Sequence, residues 1–354
     1  MSDVTMITNL IPEKRQPWKR PAQTFRQLVV LALVAGVLAT IAVRVTGLAG
    51  FLGWYIAFVA ALLVTVGATA VTTGAKLAFD RLATVLVSVL FSLVALPWIS
   101  LIYTVISRGA KAVYLGFFTT DMFVNSSDDP LNQGGISHAI VGTLLMVLVA
   151  SLIAVPLGIV AAIYIVEIKG RFAGMVRFFT QAMSGVPSIV AGLFIYSTVV
   201  MTLTHKFNGI AGALSLSILM LPTVARTTEE VLKVVPRELR DASYALGASQ
   251  FKTTFKIVLP TARSGLITAA VLGVARVAGE TAPLLLTSQY FVKFTTDMFN
   301  NPMASLPTYV FGNLLTGTDN SYARAWAASM VLISIVVVLS VTARLIGGRN
   351  SGKK

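Results

Sequence analysis

The chain has 354 residues, 56% of them hydrophobic and 12% charged, with 28 Lys and Arg against 14 Asp and Glu and a formal net charge of +14. No water-soluble globule hides that much apolar surface, and uncharged runs of about 20 residues, the length of a membrane-crossing helix, recur along the sequence. The basic residues lie between these runs instead of forming one patch, which argues against nucleic acid as a partner, and Cys is absent, which excludes disulfides, thiol catalysis and Cys-ligated zinc.

Taken in order, residues 1–25 form a polar, Pro-containing tail whose Lys14, Arg15, Lys19 and Arg20 suit anionic headgroups. A first span covers Leu28 to Val43. Its basic-then-apolar order also fits a signal peptide, but no small-residue cleavage site follows, so an uncleaved span is the reading adopted. A second span, Phe51 to Thr73, completes an N-terminal transmembrane hairpin over 26–75. The third runs from Leu82 to Ile106 with a kink expected at Pro97. A polar loop over 107–137 precedes the fourth span, His138 to Val166, which is dense in small residues and is expected to break at Pro156 and Gly158. The fifth, Phe178 to Leu203, contains SGVPS at 184–188, where Gly185, Pro187 and Ser188 mark a helix break. Broken helices at membrane depth line cavities or pack on protein, because lipid leaves freed backbone groups unsatisfied. His138 and His205 fall near span ends, as interfacial polar residues. A short sixth span, Ile210 to Ala225, leads into a charged loop over 226–260. The seventh span is Leu259 to Thr287 and the eighth Ala325 to Leu345, before a basic tail at 347–354.

The 226–260 loop is spaced for short amphipathic helices, with Pro236 placed to start one and Gly247 to end one. Asp241, Ala242 and Ser243, then three residues, Gly247, nine residues, and Ile257-x-Leu259-Pro260 together resemble the EAA loop of ABC-importer permeases. Asp241 stands for the Glu of that pattern and Ser243 for its second Ala. ARVAGETAPLLLTS at 275–288, SGVPSIVAGLF at 184–194 and GTLLMVLVASLIAVPLGIVAAIY at 142–164 resemble, more narrowly, the A-type permeases of phosphate-specific (Pst) importers.

That resemblance implies an all-α integral membrane protein of about eight helices: a six-helix type I importer core over 76–346 behind the N-terminal hairpin. It implies a permease subunit for inorganic phosphate in a cell inner membrane. The partners would be a second, PstC-type permease, a PstB-type ATPase dimer and an extracytoplasmic PstS-type phosphate-binding protein, besides membrane lipid. The chain lacks G-x-x-x-x-G-K-[ST], H-E-x-x-H, G-x-S-x-G and clustered Asp/Glu at metal spacing, so ATP and Mg would belong to the ATPase and no cofactor to this chain. Glu238, Asp241, Ala242, Ser243, Gly247, Leu259 and Pro260 would carry the ATPase coupling loop. Arg276, Glu280 and Thr281 would lie on the substrate pathway. Arg276 and Glu280, four apart, are expected on one helix face, either as a buried ion pair that fixes packing or as a polar step for an oxyanion. Counted from Pro260, Arg276 falls about 24 Å along the span. Sulfate or molybdate is the alternative substrate, and a self-contained secondary transporter the alternative class. Lys and Arg are concentrated in the segments that lie inside when both termini are cytoplasmic, which sets the expected orientation.

Overall fold

The computed structural model describes residues 22–47, 50–73 and 75–348. The basic tails expected at 1–25 and 347–354 fall almost wholly outside them. The described residues are helices and their connections, with no strand among them. They divide into two units, 1–101 and 102–354.

In the first unit α1 (Ala22–Thr46) and α2 (Gly50–Thr73) pack side by side as a hairpin. The following helix, α3 (Ala75–Gly109), runs through Pro97. Within this unit the Tyr55 hydroxyl on α2 meets the Ser92 hydroxyl on α3 at 2.5 Å. Most large side chains of α1–α3 face outward as apolar surface, the pattern of helices whose solvent is lipid.

The second unit is built on α4 (Ser137–Ile163, continued by π-helical Tyr164–Ile168) and α7 (Gly209–Val234), the most extensively packed helix pair. Pro156 and Gly158 do not break α4. A Cβ on Gly158 would come within 2.9 Å of Val224 and 3.0 Å of the Ala225 backbone, so the glycine serves close approach to α7. Long helical stretches on both sides of Pro156, held against α7, carry the helix past one lost hydrogen bond.

The fifth span does break. Helices α5 (Ala173–Ser184) and α6 (Ser188–Ile195, then π-helical to Thr204) meet at 104°, with Pro187 in extended backbone as the residue before α6. The sixth is longer than its hydrophobic run, because α7 continues through Arg226 to Val234. Buried Glu229 anchors that polar end, bound by Arg177 at 3.0 Å and Lys233 at 2.9 Å. After α8 (Arg237–Ala245), the helical segment α9 (Gln250–Thr261) turns by 72° into α10 (Arg263–Ala278). A short α11 (Ala282–Thr287) follows, then α12 (Leu306–Thr316) and the long α13 (Asp319–Gly348). Six described helices are long and apolar enough to cross a membrane, or eight if each bent pair is one span.

At the Gly209 end of α7 the connecting loops pack as a cap on Phe117, Met122, Ile136, Leu306 and Tyr309. His138 is buried there against the Tyr309 ring, whereas His205 is exposed. Fully buried Arg324 donates to the carbonyls of Gln133 (2.8 Å), Asp129 (2.9 Å) and Pro130 (3.0 Å). The Asp121 carboxylate accepts the N–H groups of Phe294 (2.8 Å) and Phe123 (3.1 Å), tying the two long loops together. Partial burial pushes this carboxyl up, but those N–H donors and the nearby His138 outweigh it and leave it below the usual Asp range. A depressed folded-state pKa gives stability that is present above the ordinary Asp value and lost as pH falls through the folded value. Hydrogen exchange of the loop amides at Phe123 and Phe294 is therefore expected to quicken on acidification below that range, after correction for intrinsic exchange. Asp121→Asn should show the faster exchange already at neutral pH.

Candidate translocation site and docking surface

The second unit brings Arg276 of α10 together with one face of α7. Thr223, Arg226, Thr227 and Glu230 follow one another at helical spacing, and with Ser184 at the end of α5 and Arg276 they line a cavity of about 510 Å³. The face of α7 turned the other way (Val224, Ala225, Thr228, Glu229, Leu232) is buried, which fixes the rotation of α7 and hence the aim of the cavity residues. Among the described residues neither Arg226 nor Arg276 is held in a salt bridge, while Glu230 pairs with Lys233 at 2.9 Å. Two guanidinium groups against one carboxylate leave the cavity with excess positive charge and free N–H forks. Forks of that shape match the oxygens of a tetrahedral anion.

Arg276 and Glu280 do not form a pair. Helix α10 ends at Ala278, so Glu280 and Thr281 leave the helix face that carries Arg276 and form the break before α11. Gly185 and Pro187 likewise form a break and Ser188 opens α6; none of the three lines the cavity, whereas their neighbour Ser184 does. The two breaks share a neighbourhood, since a Cβ on Gly192 of α6 would sit 2.6 Å from the Pro283 backbone of α11. Arg226, Thr223, Thr227 and Glu230 were missed as site residues in the sequence because they straddle the end of a hydrophobic run. Their i, i+3, i+4, i+7 spacing was the available signal.

The second feature is α8 and its surroundings. Pro236 precedes its first residue, and its C-terminal end closes as a Schellman turn, with Gly247 N–H on Tyr244 O (2.9 Å) and Ala248 N–H on Ser243 O (3.1 Å). Gly247 has φ +75°, a conformation that side-chain-bearing residues resist. Glu238, Asp241 and Ala242 are exposed on α8, Ser243 is buried, and its hydroxyl meets Thr253 at 2.9 Å. Leu246 is 88% exposed and Phe251 69%, with the Phe255 ring tilted against Phe251 at 4.4 Å, so polar α8 is flanked by bare apolar side chains. Leu259 and Pro260 lie in the last turn of α9, which leads to the bend before α10. Beneath α8, Arg240 forks onto Glu167, and the Glu167 carboxylate holds the guanidinium proton more tightly than usual.

The sequence profile described as "Binding-protein-dependent transport system inner membrane component" matches residues 154–351, which include the cavity, both breaks and α8. The chain belongs to that family. Members are transport components, and membership implies an inner-membrane location together with an ATPase and a substrate-binding protein as partners. "Phosphate transport system permease protein PstA 1" of Mycobacterium tuberculosis (strain ATCC 25618 / H37Rv) is 39% identical over 257 residues, covering 72% of this chain and 83% of the relative. "Phosphate transport system permease protein PstA" of Mycobacterium leprae (strain TN) is 40% identical over 255 residues, covering 72% and 83%. The Yersinia pestis protein of that name is 38% identical over 273 residues, covering 75% and 89%. The fold is shared with a chain from the crystal structure of a bacterial ABC transporter involved in import of the acidic polysaccharide alginate. That match has a TM-score of 0.55 at 14% identity, over 78% of this chain and 97% of that one. The transport family thus accounts for the helical membrane architecture expected from the sequence.

Proposed function

We propose that the chain is the permease subunit of an ATP-driven importer for inorganic phosphate, and that the Arg226–Arg276 cavity is a step on the anion's path. The observation that carries this reading is the pair of guanidinium groups, neither in a salt bridge among the described residues, that line one cavity with three hydroxyl side chains. The names of the relatives support phosphate as the anion. Glu230, not Glu280, is then the carboxylate in reach of the substrate. Near neutral pH phosphate retains a proton and donates a hydrogen bond to such an acceptor; sulfate has none to give. Uptake of labelled phosphate by a reconstituted transporter should resist excess sulfate, and Glu230→Gln should weaken that resistance when the binding protein is bypassed. Equal competition by sulfate in the unaltered transporter would overturn the substrate assignment.

In this reading a PstC-type permease completes the pathway, a PstS-type protein delivers phosphate, and a PstB-type ATPase dimer, which holds ATP and Mg, docks on α8. The ring of Lys169, Arg177, Lys233, Arg237 and Arg240 around the pocket beside α8 supports a cytoplasmic position for this end, with both termini on the same side. The chain has no native cysteine. Single cysteines at Val124 and Asp319, both exposed, are expected to react with a membrane-impermeant thiol reagent outside intact cells, and one at Ser249 only after permeabilisation. Labelling of Ser249→Cys alone in intact cells would reverse the orientation.

A further inference from the structure

Glu167 lies in the π-helical end of α4 with its side chain 3% exposed, and the segment stops at Lys169, whose φ is +51°. Both of its carboxylate oxygens are taken by Arg240 of α8, Nη2 to Oε1 at 2.6 Å and Nε to Oε2 at 3.2 Å. The remaining donors of Arg240 go to the end of α7 and the turn that follows it: Leu232 O at 2.9 Å and Val235 O at 2.6 Å. The Glu167 carbonyl accepts the side-chain amide of Gln250 at 2.6 Å, so the start of α9 is fastened to the same residue. One buried residue at the tip of α4 therefore holds both α8 and the start of α9, and one guanidinium joins α4, α7 and α8. A forked Arg–carboxylate pair fixes orientation as well as distance, unlike a single-point contact. From this junction α4 continues as helix back to Gly158, which packs closely against Val224 and Ala225 of α7, next to cavity residue Arg226.

We propose that the Glu167–Arg240 fork is the link through which displacement of α8 by the ATPase moves α4 and α7, and with them the arginine cavity. Both are positioning residues that touch neither substrate nor nucleotide. The inference rests on the reading that an ATPase docks at α8. Coupling between distant sites is carried by packed helices and salt-bridge networks that have two arrangements. A fork buried between the docking helix and the helix beside the cavity is placed to carry it.

The test uses the whole reconstituted transporter and reads ATP hydrolysed per phosphate imported. Arg240→Lys keeps the charge and loses the fork. It is expected to copurify with the ATPase and hydrolyse ATP, but to consume about tenfold more ATP per phosphate. Glu167→Gln should do the same, and exchanging the two residues, Glu167→Arg with Arg240→Glu, should recover part of the coupling. An unchanged ratio in Arg240→Lys overturns the link, and so does loss of ATPase copurification in that variant alone, which would make the fork a mere support for the docking surface. Failure of the unaltered chain to copurify with the ATPase would instead overturn the docking reading.

Discussion

Arg276→Gln is expected to lower phosphate uptake by about 10²-fold, the scale of one lost charged hydrogen bond of about 3 kcal/mol, while the transporter still assembles. Arg226→Gln should act in the same direction. The physical ground for intact assembly is that Arg276 is solvent-exposed in the cavity and leaves no buried carboxylate behind when its charge is removed. A buried pair would respond differently, since deleting one partner strands the other charge in the interior. Copurification of partner subunits and labelled-phosphate uptake, measured on one preparation, separate the two cases. Normal uptake in both Arg226→Gln and Arg276→Gln would remove the cavity from the anion's path.

Gly247→Pro is expected to abolish nucleotide-driven uptake by dismantling the turn after α8. Proline fixes φ near −65°, against +75° here, and removes the N–H that binds Tyr244 O. The chain would leave α8 in another direction and carry Ser249 and Phe251 away from the exposed face. Ala242→Glu reaches the same surface by another route, setting a third carboxylate beside exposed Glu238 and Asp241. Both variants should insert normally and fail to retain the ATPase on purification. Wild-type retention in both would move the docking site elsewhere.

The membrane class and the approximate number of spans follow from the sequence alone, because apolar runs of bilayer length have one stable solution in lipid, the helix. The SGVPS break was legible for a similar reason: Pro187 has no N–H to give, and α6 begins only after it. So was the turn at Gly247, read as the end of a short helix, where the residue takes φ +75°.

What the sequence left open depends on partners distant along the chain. Hydrophobicity ends the sixth span near Ala225, yet α7 runs on to Val234 because Arg177 and Lys233 neutralise buried Glu229. Pro156 reads as a break but sits inside an intact helix, since packing on α7 outweighs one missing hydrogen bond. Spacing of four set Arg276 and Glu280 on one face, and that inference holds only while the helix lasts; it stops at Ala278. The residue that shares a cavity with Arg276 is Arg226, fifty positions earlier, and no local pattern joins them. Tertiary packing decided it: burial of Val224, Ala225 and Leu232 against neighbouring helices fixes the rotation of α7 that puts Thr223, Arg226 and Glu230 on the cavity side.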